Sequence, residues 1–90
     1  MLKHMIHIPH QLHWLTRKHS YEVKGQTLKE CFTCLRATAP LMCMEILDGH
    51  CIPNSFLLVF VDGQRVGPSN YREKIEESVE ITLLIAAAGG

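Results

Sequence analysis

The sequence predicts an α+β fold in which one main helix packs on a mixed sheet of four to five strands. Short apolar runs typical of strands occur near both ends of the chain, and an amphipathic helical segment lies between them. A tight-turn signal also separates two runs in the second half. With 90 residues, 47% of them apolar, the chain is long enough for one such domain and too short for two.

The first third of the chain predicts a hairpin. Residues 4–8 and 19–24 each alternate apolar and polar side chains, which is the pattern of a strand with one buried face. Pro9 suits the end of the first strand, because proline cannot donate a hydrogen bond within a sheet. We predict that residues 10–18 form a fairly long hairpin loop, and that Trp14 packs within it rather than stacking on a ligand.

Residues 27–38 carry the clearest helical pattern. Thr27 and Glu30 have the spacing of a capping box, which pairs the free amide groups at the start of a helix. One apolar face follows at helical spacing, comprising Leu28, Cys31, Phe32 and Leu35. Pro40 is expected to end this helix. A further short helical turn within residues 41–50 stays open.

The second half predicts three strands. Residues 56–61 are continuously apolar, which favours a central strand covered on both faces. Asp62-Gly63 is a tight-turn signal, and residues 64–66 would form the short returning strand. Residues 67–78 predict a loop with one helical turn. Residues 79–85 alternate, so the sequence predicts a last strand there.

Composition argues against several functional classes. Lys plus Arg number 9 and Asp plus Glu number 9, so no basic excess points to nucleic acid or to an anionic membrane. No apolar stretch approaches the ~18 residues of a membrane span. Pro9 interrupts the N-terminal segment too early for a signal peptide. We therefore expect a cytoplasmic protein with four free cysteines: Cys31, Cys34, Cys43 and Cys51.

Motifs for metal binding and catalysis are weak in this sequence. Cys31 and Cys34 form a C-x-x-C, but the second pair that a zinc site usually requires is missing. Four histidines recur every third residue, a spacing that does not place them on one face of a strand: His4, His7, His10 and His13. The sequence shows no catalytic triad, carboxylate pair or phosphate-binding loop. We therefore expect no metal site and no catalytic machinery.

Four stretches, in this order of elements, resemble the ubiquitin-like sulfur-carrier family, whose fold is the β-grasp. They are Ile6–Pro9, Thr27–Cys31, Val59–Val66, and the last strand from Ser78 to the terminal Gly89-Gly90. The family includes the small subunit of molybdopterin synthase, the thiamine-thiazole sulfur carrier and carriers for cysteine synthesis. Two features depart from its pattern: the glycine turn usual before the last strand is missing at residues 77–80, and Asp62 stands where Asn is common. The right-handed connection through the helix predicts that the last strand lies beside the first.

The resemblance implies that Gly90 is the working end of a carrier that is itself not an enzyme and binds no cofactor. A ubiquitin-activating-type enzyme would use ATP to adenylate its carboxylate. A persulfide sulfur would then displace AMP and leave a thiocarboxylate on Gly90. This group would donate its sulfur to a synthase subunit or another accepting enzyme, in molybdopterin, thiamine or cysteine-type biosynthesis. Gly89 and Gly90 lack a β-carbon, which lets the chain enter a narrow site, and Ala86, Ala87 and Ala88 keep the approach slim. We expect residues 1–85 to form the domain and residues 86–90 a flexible tail.

An exposed apolar patch beside this tail is the expected docking surface for partners. Leu84 is predicted to face away from the core and to join Phe60 and its neighbours on the preceding strands. The packing of Leu84 under a loop is an equally open alternative. Solvated surface charges are the favoured interpretation of Arg65 and Arg72, and contact with acidic groups of a partner is the alternative.

Two other functional classes stay open at this stage. A ubiquitin-like modifier would use Gly90 in the same adenylation chemistry, and would then form an isopeptide bond with a lysine of a target protein. A plain β-grasp interaction module would leave the tail inert. The sequence does not separate the carrier from the modifier, because both require an activated Gly90.

Overall fold

The computed structural model describes residues 2–86, and residues 1 and 87–90 lie outside the described part. The sheet has five strands, β1 (Lys3–His7), β2 (Ser20–Lys24), β3 (Leu57–Val61), β4 (Gln64–Val66) and β5 (Glu80–Ile85). The α-helices are α1 (His13–Thr16), α2 (Leu28–Thr38) and α3 (Pro40–Ile46). Single turns of 3₁₀-helix span His10–Leu12 and Pro68–Asn70. No helix within the described residues is long and apolar enough to cross a membrane.

The strand order β2-β1-β5-β3-β4 confirms the mixed sheet and puts β5 in the centre. β1 and β5 run parallel, with Ile6 opposite Ile81, and the other pairs are antiparallel. The last strand therefore lies beside the first, as the right-handed connection through the helix predicted. The α+β prediction is confirmed.

The capped helix α2 supplies much of the core. Thr27 Oγ1 accepts the amide hydrogen of Glu30 at 3.2 Å, and Glu30 Oε1 accepts that of Gln26 at 3.0 Å. The reciprocal cap therefore exists, but its second bond reaches one residue further back than the capping box predicts. All four predicted apolar positions of the helix are buried: Leu28, Cys31, Phe32 and Leu35.

His4 joins three elements at the end of the sheet where α2 begins. Its side chain is 2% exposed. Nε2 donates to the Gly25 carbonyl at 3.0 Å, and Nδ1 accepts the amide hydrogen of Val79 at 3.1 Å. A β-carbon on Gly25 would lie 2.9 Å from the Cys31 backbone nitrogen, so the helix start requires glycine there. Sequence reasoning missed this close approach and the buried histidine.

The connection between β1 and β2 corrects two predictions. Residues 10–16 of the predicted loop are helical, and Arg17 ends α1 in the left-handed conformation, at φ 58°. Trp14 is 76% exposed, so the prediction that it packs within the loop is wrong. Leu12 is buried and Leu15 packs against the core, and they supply the apolar contacts in its place.

Pro40 begins α3 at its first turn rather than only ending the helix before it. Proline suits this position, because the amide it lacks would have no partner inside the helix. α3 buries its apolar side against the core through Met42, Cys43 and Ile46. The helical turn left open within residues 41–50 is therefore a helix of seven residues.

β3 is covered on one face only, which corrects the prediction that both faces are covered. Leu57 and Val59 are buried under the helices, whereas Leu58 and Phe60 on the opposite face are half-buried. β5, rather than β3, is the central strand. Burial under the helices therefore explains the apolar side chains on one face of residues 56–61 only, and the second face is open to solvent.

Candidate functional site

An exposed apolar surface lies on the outer face of the sheet, opposite the helices. We call it the outer patch; it consists of Phe56, Leu58, Phe60 and Leu84. Leu58 and Leu84 are direct partners across β3 and β5. Phe56 is 40% exposed and Leu84 44%. The open reading that Leu84 packs under a loop is thus wrong, and the outward orientation of Leu84 is confirmed.

Arg65 borders the outer patch on β4. It is the cross-strand partner of Phe60 and is exposed, which puts its guanidinium at the patch edge. On the other side, Phe60 pairs with Thr82 and Thr82 with His7. An apolar centre with a polar rim is the usual composition of a protein interface.

Arg72 belongs to a different surface. It lines a groove with Thr27, Lys29, Glu30 and Thr33, beside the first turn of α2. Of the two arginines considered in the sequence, only Arg65 therefore lies at the outer patch.

The chain continues from the outer patch towards the diglycine. The amide of Ala86 donates to the Phe56 carbonyl at 2.8 Å, so the ladder between β3 and β5 extends one residue beyond Ile85. Gly89 and Gly90, with Ala87 and Ala88, lie outside the described residues. Gly90 is four positions after Ala86 in sequence, and an extended chain of that length reaches at most ~14 Å. A partner that binds Gly90 therefore comes within reach of the patch.

The turn between β3 and β4 is attached to the start of β5. Asp62 and Gly63 both have positive φ, 48° and 85°, as a type I′ hairpin turn requires. The Asp62 carboxylate accepts the Glu80 amide hydrogen at 2.8 Å, and the Asp62 amide donates to the Glu80 carbonyl at 2.8 Å. The two departures from the family pattern thus meet in space, because Asp62 holds the segment that lacks the usual glycine turn.

The four cysteines are free, as predicted. Burial raises the pKa of the Cys31 thiol to about 12. Burial, together with the nearby Cys51 thiol, raises the pKa of Cys43 to about 11. Arg36 Nη1 donates to Cys51 Sγ at 3.3 Å. Within residues 2–86, no three His, Cys, Asp or Glu side chains are placed to hold a metal ion together.

The four recurring histidines do not share one face, as their spacing predicts. The rings of His10 and His13 meet edge to face at 5.3 Å, and those of His13 and His19 lie 4.2 Å apart. His4 and His7 belong to other environments, the first buried at the start of α2 and the second on the outer face. Sequence reasoning missed the contact with His19 because it depends on the hydrogen bond that the Ile8 amide donates to the His19 carbonyl.

Solved structures share this fold, whereas no protein-family model and no curated protein matches the sequence. Mycobacterium tuberculosis CysO, described as an antigen, has a TM-score of 0.76 at 20% identity over 93% of this chain and 99% of that one. A chain of the Amycolatopsis orientalis BexX/CysO complex has a TM-score of 0.79 at 22% identity, over 97% of this chain and 99% of that one. Small archaeal modifier protein 1 (SAMP1) from Methanosarcina acetivorans has a TM-score of 0.82 at 14% identity, over 100% of this chain and 98% of that one. The chain therefore has the ubiquitin-like β-grasp fold.

Proposed function

We propose that this chain is a sulfur carrier whose Gly90 carboxylate is activated by one partner and delivered as a thiocarboxylate to another. The observation that carries the proposal is the path of β5. This strand crosses the exposed outer patch, stays paired up to Ala86, and continues in sequence through small residues to Gly89-Gly90. Its path links a surface suited to docking with a chain segment suited to entering a narrow site.

Activation is needed because an ionised carboxylate is a poor electrophile. An α-carboxyl group has a pKa of about 3.3–3.7 and is almost wholly charged at neutral pH. ATP converts it to an acyl-adenylate with release of pyrophosphate. The terminal sulfur of a protein persulfide then attacks the carbonyl carbon and expels AMP, which gives an acyl disulfide. A second thiol forms a disulfide with the persulfide protein, and the thiocarboxylate remains on Gly90.

The same outer patch serves both partners in turn. The adenylating enzyme and the sulfur-accepting enzyme each have to hold the domain while Gly90 reaches the reaction centre, and the reach from Ala86 brings both against this end of the sheet. Leu84 and Phe60 supply apolar contact, and Arg65 supplies a charge at the rim. The chain is then a protein cosubstrate, in the cytoplasm, and permanent association as the small subunit of a synthase is one form of this role.

Intact mass tests the proposal. The chain is incubated with ATP, a persulfide donor and the adenylating enzymes of the same organism. We expect a mass gain equal to one sulfur in place of one oxygen. Deletion of Gly90 is the matched control and abolishes the gain. A full-length chain that keeps its mass with every such enzyme contradicts the proposal, as does a mature chain in which the Gly90 carboxylate is not free.

A ubiquitin-like modifier is the second candidate. SAMP1, a protein named as a modifier, shares the fold, with a TM-score of 0.80 for the Haloferax volcanii protein. In this case the acyl-adenylate is passed to a lysine amine and an isopeptide bond replaces the thiocarboxylate. Adducts of the chain on other proteins, lost when Gly90 is deleted, support the modifier.

A further inference from the structure

The connection between β1 and β2 carries a second exposed surface that the outer patch does not explain. We call residues 10–19 the basic segment. It contains Arg17, Lys18 and three histidines, and no acidic residue; the first acidic residue of the chain is Glu22. Trp14, the only tryptophan of the chain, is 76% exposed at its centre. An exposed tryptophan flanked by cations is typical of contact surfaces, where tryptophan and arginine often dominate binding.

The basic segment has a defined shape. His13 Nε2 lies 3.1 Å from the Ile8 carbonyl, and the His13 ring packs against that of His19. The Arg17 amide closes the short helix by donating to the His13 carbonyl at 2.7 Å. Lys18 Nζ sits 4.5 Å from the centre of the Tyr21 ring. The side chains are thus presented on an ordered backbone, which lowers the entropy lost on binding.

The sheet topology places the basic segment at the end from which the diglycine segment continues. β1 and β5 run parallel, with His7 opposite Thr82. The segment that follows β1 therefore lies at the end of the sheet where β5 finishes. Ala86, the last residue of the extended ladder, belongs to this end.

Charge is distributed unevenly along the sheet. The acidic side chains that precede β5 lie at the opposite end: Glu73, Glu76 and Glu77. The Glu80 carboxylate lies 2.9 Å from His7 Nε2 and is paired with that ring. The start of α3, which packs against the α1 part of the basic segment, is apolar, and its Leu41 is 69% exposed. The end that a tail-binding partner approaches is therefore basic and apolar, although the chain as a whole has a formal net charge of zero.

We propose that the basic segment docks an acidic surface of the adenylating partner, next to the channel that receives Gly90. Trp14 is the apolar contact, and Arg17 and Lys18 are the charges that steer and orient the approach. A partner that binds the tail has to come close to this end of the sheet, and a segment with cations and no carboxylate favours an acidic counterpart. The inference rests on the proposed activation of Gly90 and names the chemistry of the partner's surface.

Charge variants test this docking in the complete chain. The first variant is Arg17→Asn combined with Lys18→Glu; asparagine tolerates the positive φ of residue 17. The matched control is Lys24→Asn combined with Lys74→Glu, which makes the same change in charge at the opposite end of the sheet. A third variant, Trp14→Ser, removes a side chain that is 76% exposed and should leave the fold intact.

The readout is pyrophosphate release by the organism's adenylating enzyme, measured against chain concentration and sodium chloride. We expect the Arg17/Lys18 variant and Trp14→Ser each to raise KM about tenfold with kcat unchanged. The charge variant should also flatten the salt dependence of kcat/KM, a change that a purely structural effect would not produce. The control should behave as the wild type. In a chain labelled with 5-fluorotryptophan, the fluorine resonance of Trp14 should move when the enzyme is added.

Several outcomes overturn the inference. The docking role is ruled out if the wild type is activated and both test variants keep its KM. It is also ruled out if the control variant raises KM as much as the test variants do. Either result leaves the carrier function intact. The docking role is likewise ruled out if the fluorine resonance of Trp14 does not move when the enzyme is added. A dimer in sedimentation that only the Arg17/Lys18 variant loses would assign the surface to a second copy of the chain. If no adenylating enzyme activates the wild type, the proposed function fails, and this inference fails with it.

Discussion

Two adjacent leucines on β5 separate the role of the outer patch from the role of the core. Leu83 points to the helices and is fully buried, whereas Leu84 points outward and is 44% exposed. Replacement of each by alanine removes the same atoms from the same strand. We expect Leu83→Ala to damage folding and Leu84→Ala to damage partner binding.

The magnitudes follow from burial. Leu83→Ala opens a cavity under the sheet and should lower the free energy of unfolding by about 2–5 kcal/mol. Leu84 buries a little over half of its side chain and leaves no enclosed cavity, so its loss should be about 1 kcal/mol. For a domain of this size, 1 kcal/mol corresponds to about 4–8 °C in Tm. Leu84→Ala should therefore remain folded at room temperature.

Urea unfolding and activation kinetics complete this test. Leu84→Ala should raise the KM for the adenylating enzyme about tenfold, because a few well-packed residues near the centre of an interface carry most of its binding energy. Leu83→Ala, measured below its unfolding transition, should keep the wild-type KM. The reasoning is refuted if Leu84→Ala costs as much stability as Leu83→Ala, or if it leaves KM unchanged while the wild type is activated.

Three further predictions concern the core. Gly25→Ala should lower the free energy of unfolding in urea by about 1–3 kcal/mol, because the new β-carbon would lie 2.9 Å from backbone and side-chain atoms of α2; wild-type stability would contradict the close approach. His4→Leu should cost about 2–4 kcal/mol, since it leaves a carbonyl and an amide unpaired, and a neutral result would show that those bonds contribute little. Cys31 and Cys43 should resist alkylation at pH 8 in the native chain, because burial holds their pKa values at about 12 and 11. In the unfolded chain the pKa of each thiol returns to its ordinary value of 9.0. Unfolded molecules then bind fewer protons than folded ones, so stability should fall as the pH rises from 9 towards 11. Alkylation mapped by peptide mass and urea midpoints at both pH values test the pair, and rapid labelling of either thiol or a rising midpoint would contradict it.

Local signals in the sequence predicted most of the fold. The cap formed by Thr27 and Glu30, the positive φ at Asp62-Gly63 and the alternation along β5 depend on neighbours within a few residues. Physical rules for helix starts, turns and strands apply there without knowledge of the rest of the chain. The elements built from these signals occur within one or two residues of their predicted bounds.

The predictions that failed depend on contacts between distant segments. His4 is buried because Gly25 and Val79 supply partners from other elements. Trp14 is exposed because Leu12 and Leu15 already fill the space above the core. An apolar run such as residues 56–61 cannot show whether its second face is covered by the chain or reserved for a partner.

The candidate site also combines features that local signals predict with features that depend on contacts between distant segments. The outward orientation of Leu84 followed from strand alternation, and the structure confirms it. The position of Arg65 beside Phe60 required the register between β3 and β4. The functional roles of Gly89 and Gly90 come from the resemblance and are supported by the path of β5, and they stay predictions.

The location of the transferred sulfur tests the central claim most directly. The last basic residue of the chain is Lys74, so trypsin releases a C-terminal peptide of residues 75–90 that contains no cysteine. After incubation with ATP, a persulfide donor and the adenylating enzyme, tandem mass spectrometry of this peptide should place one sulfur for oxygen at Gly90. Sulfur found only on peptides that carry Cys31, Cys34, Cys43 or Cys51, with residues 75–90 unchanged, would contradict the account.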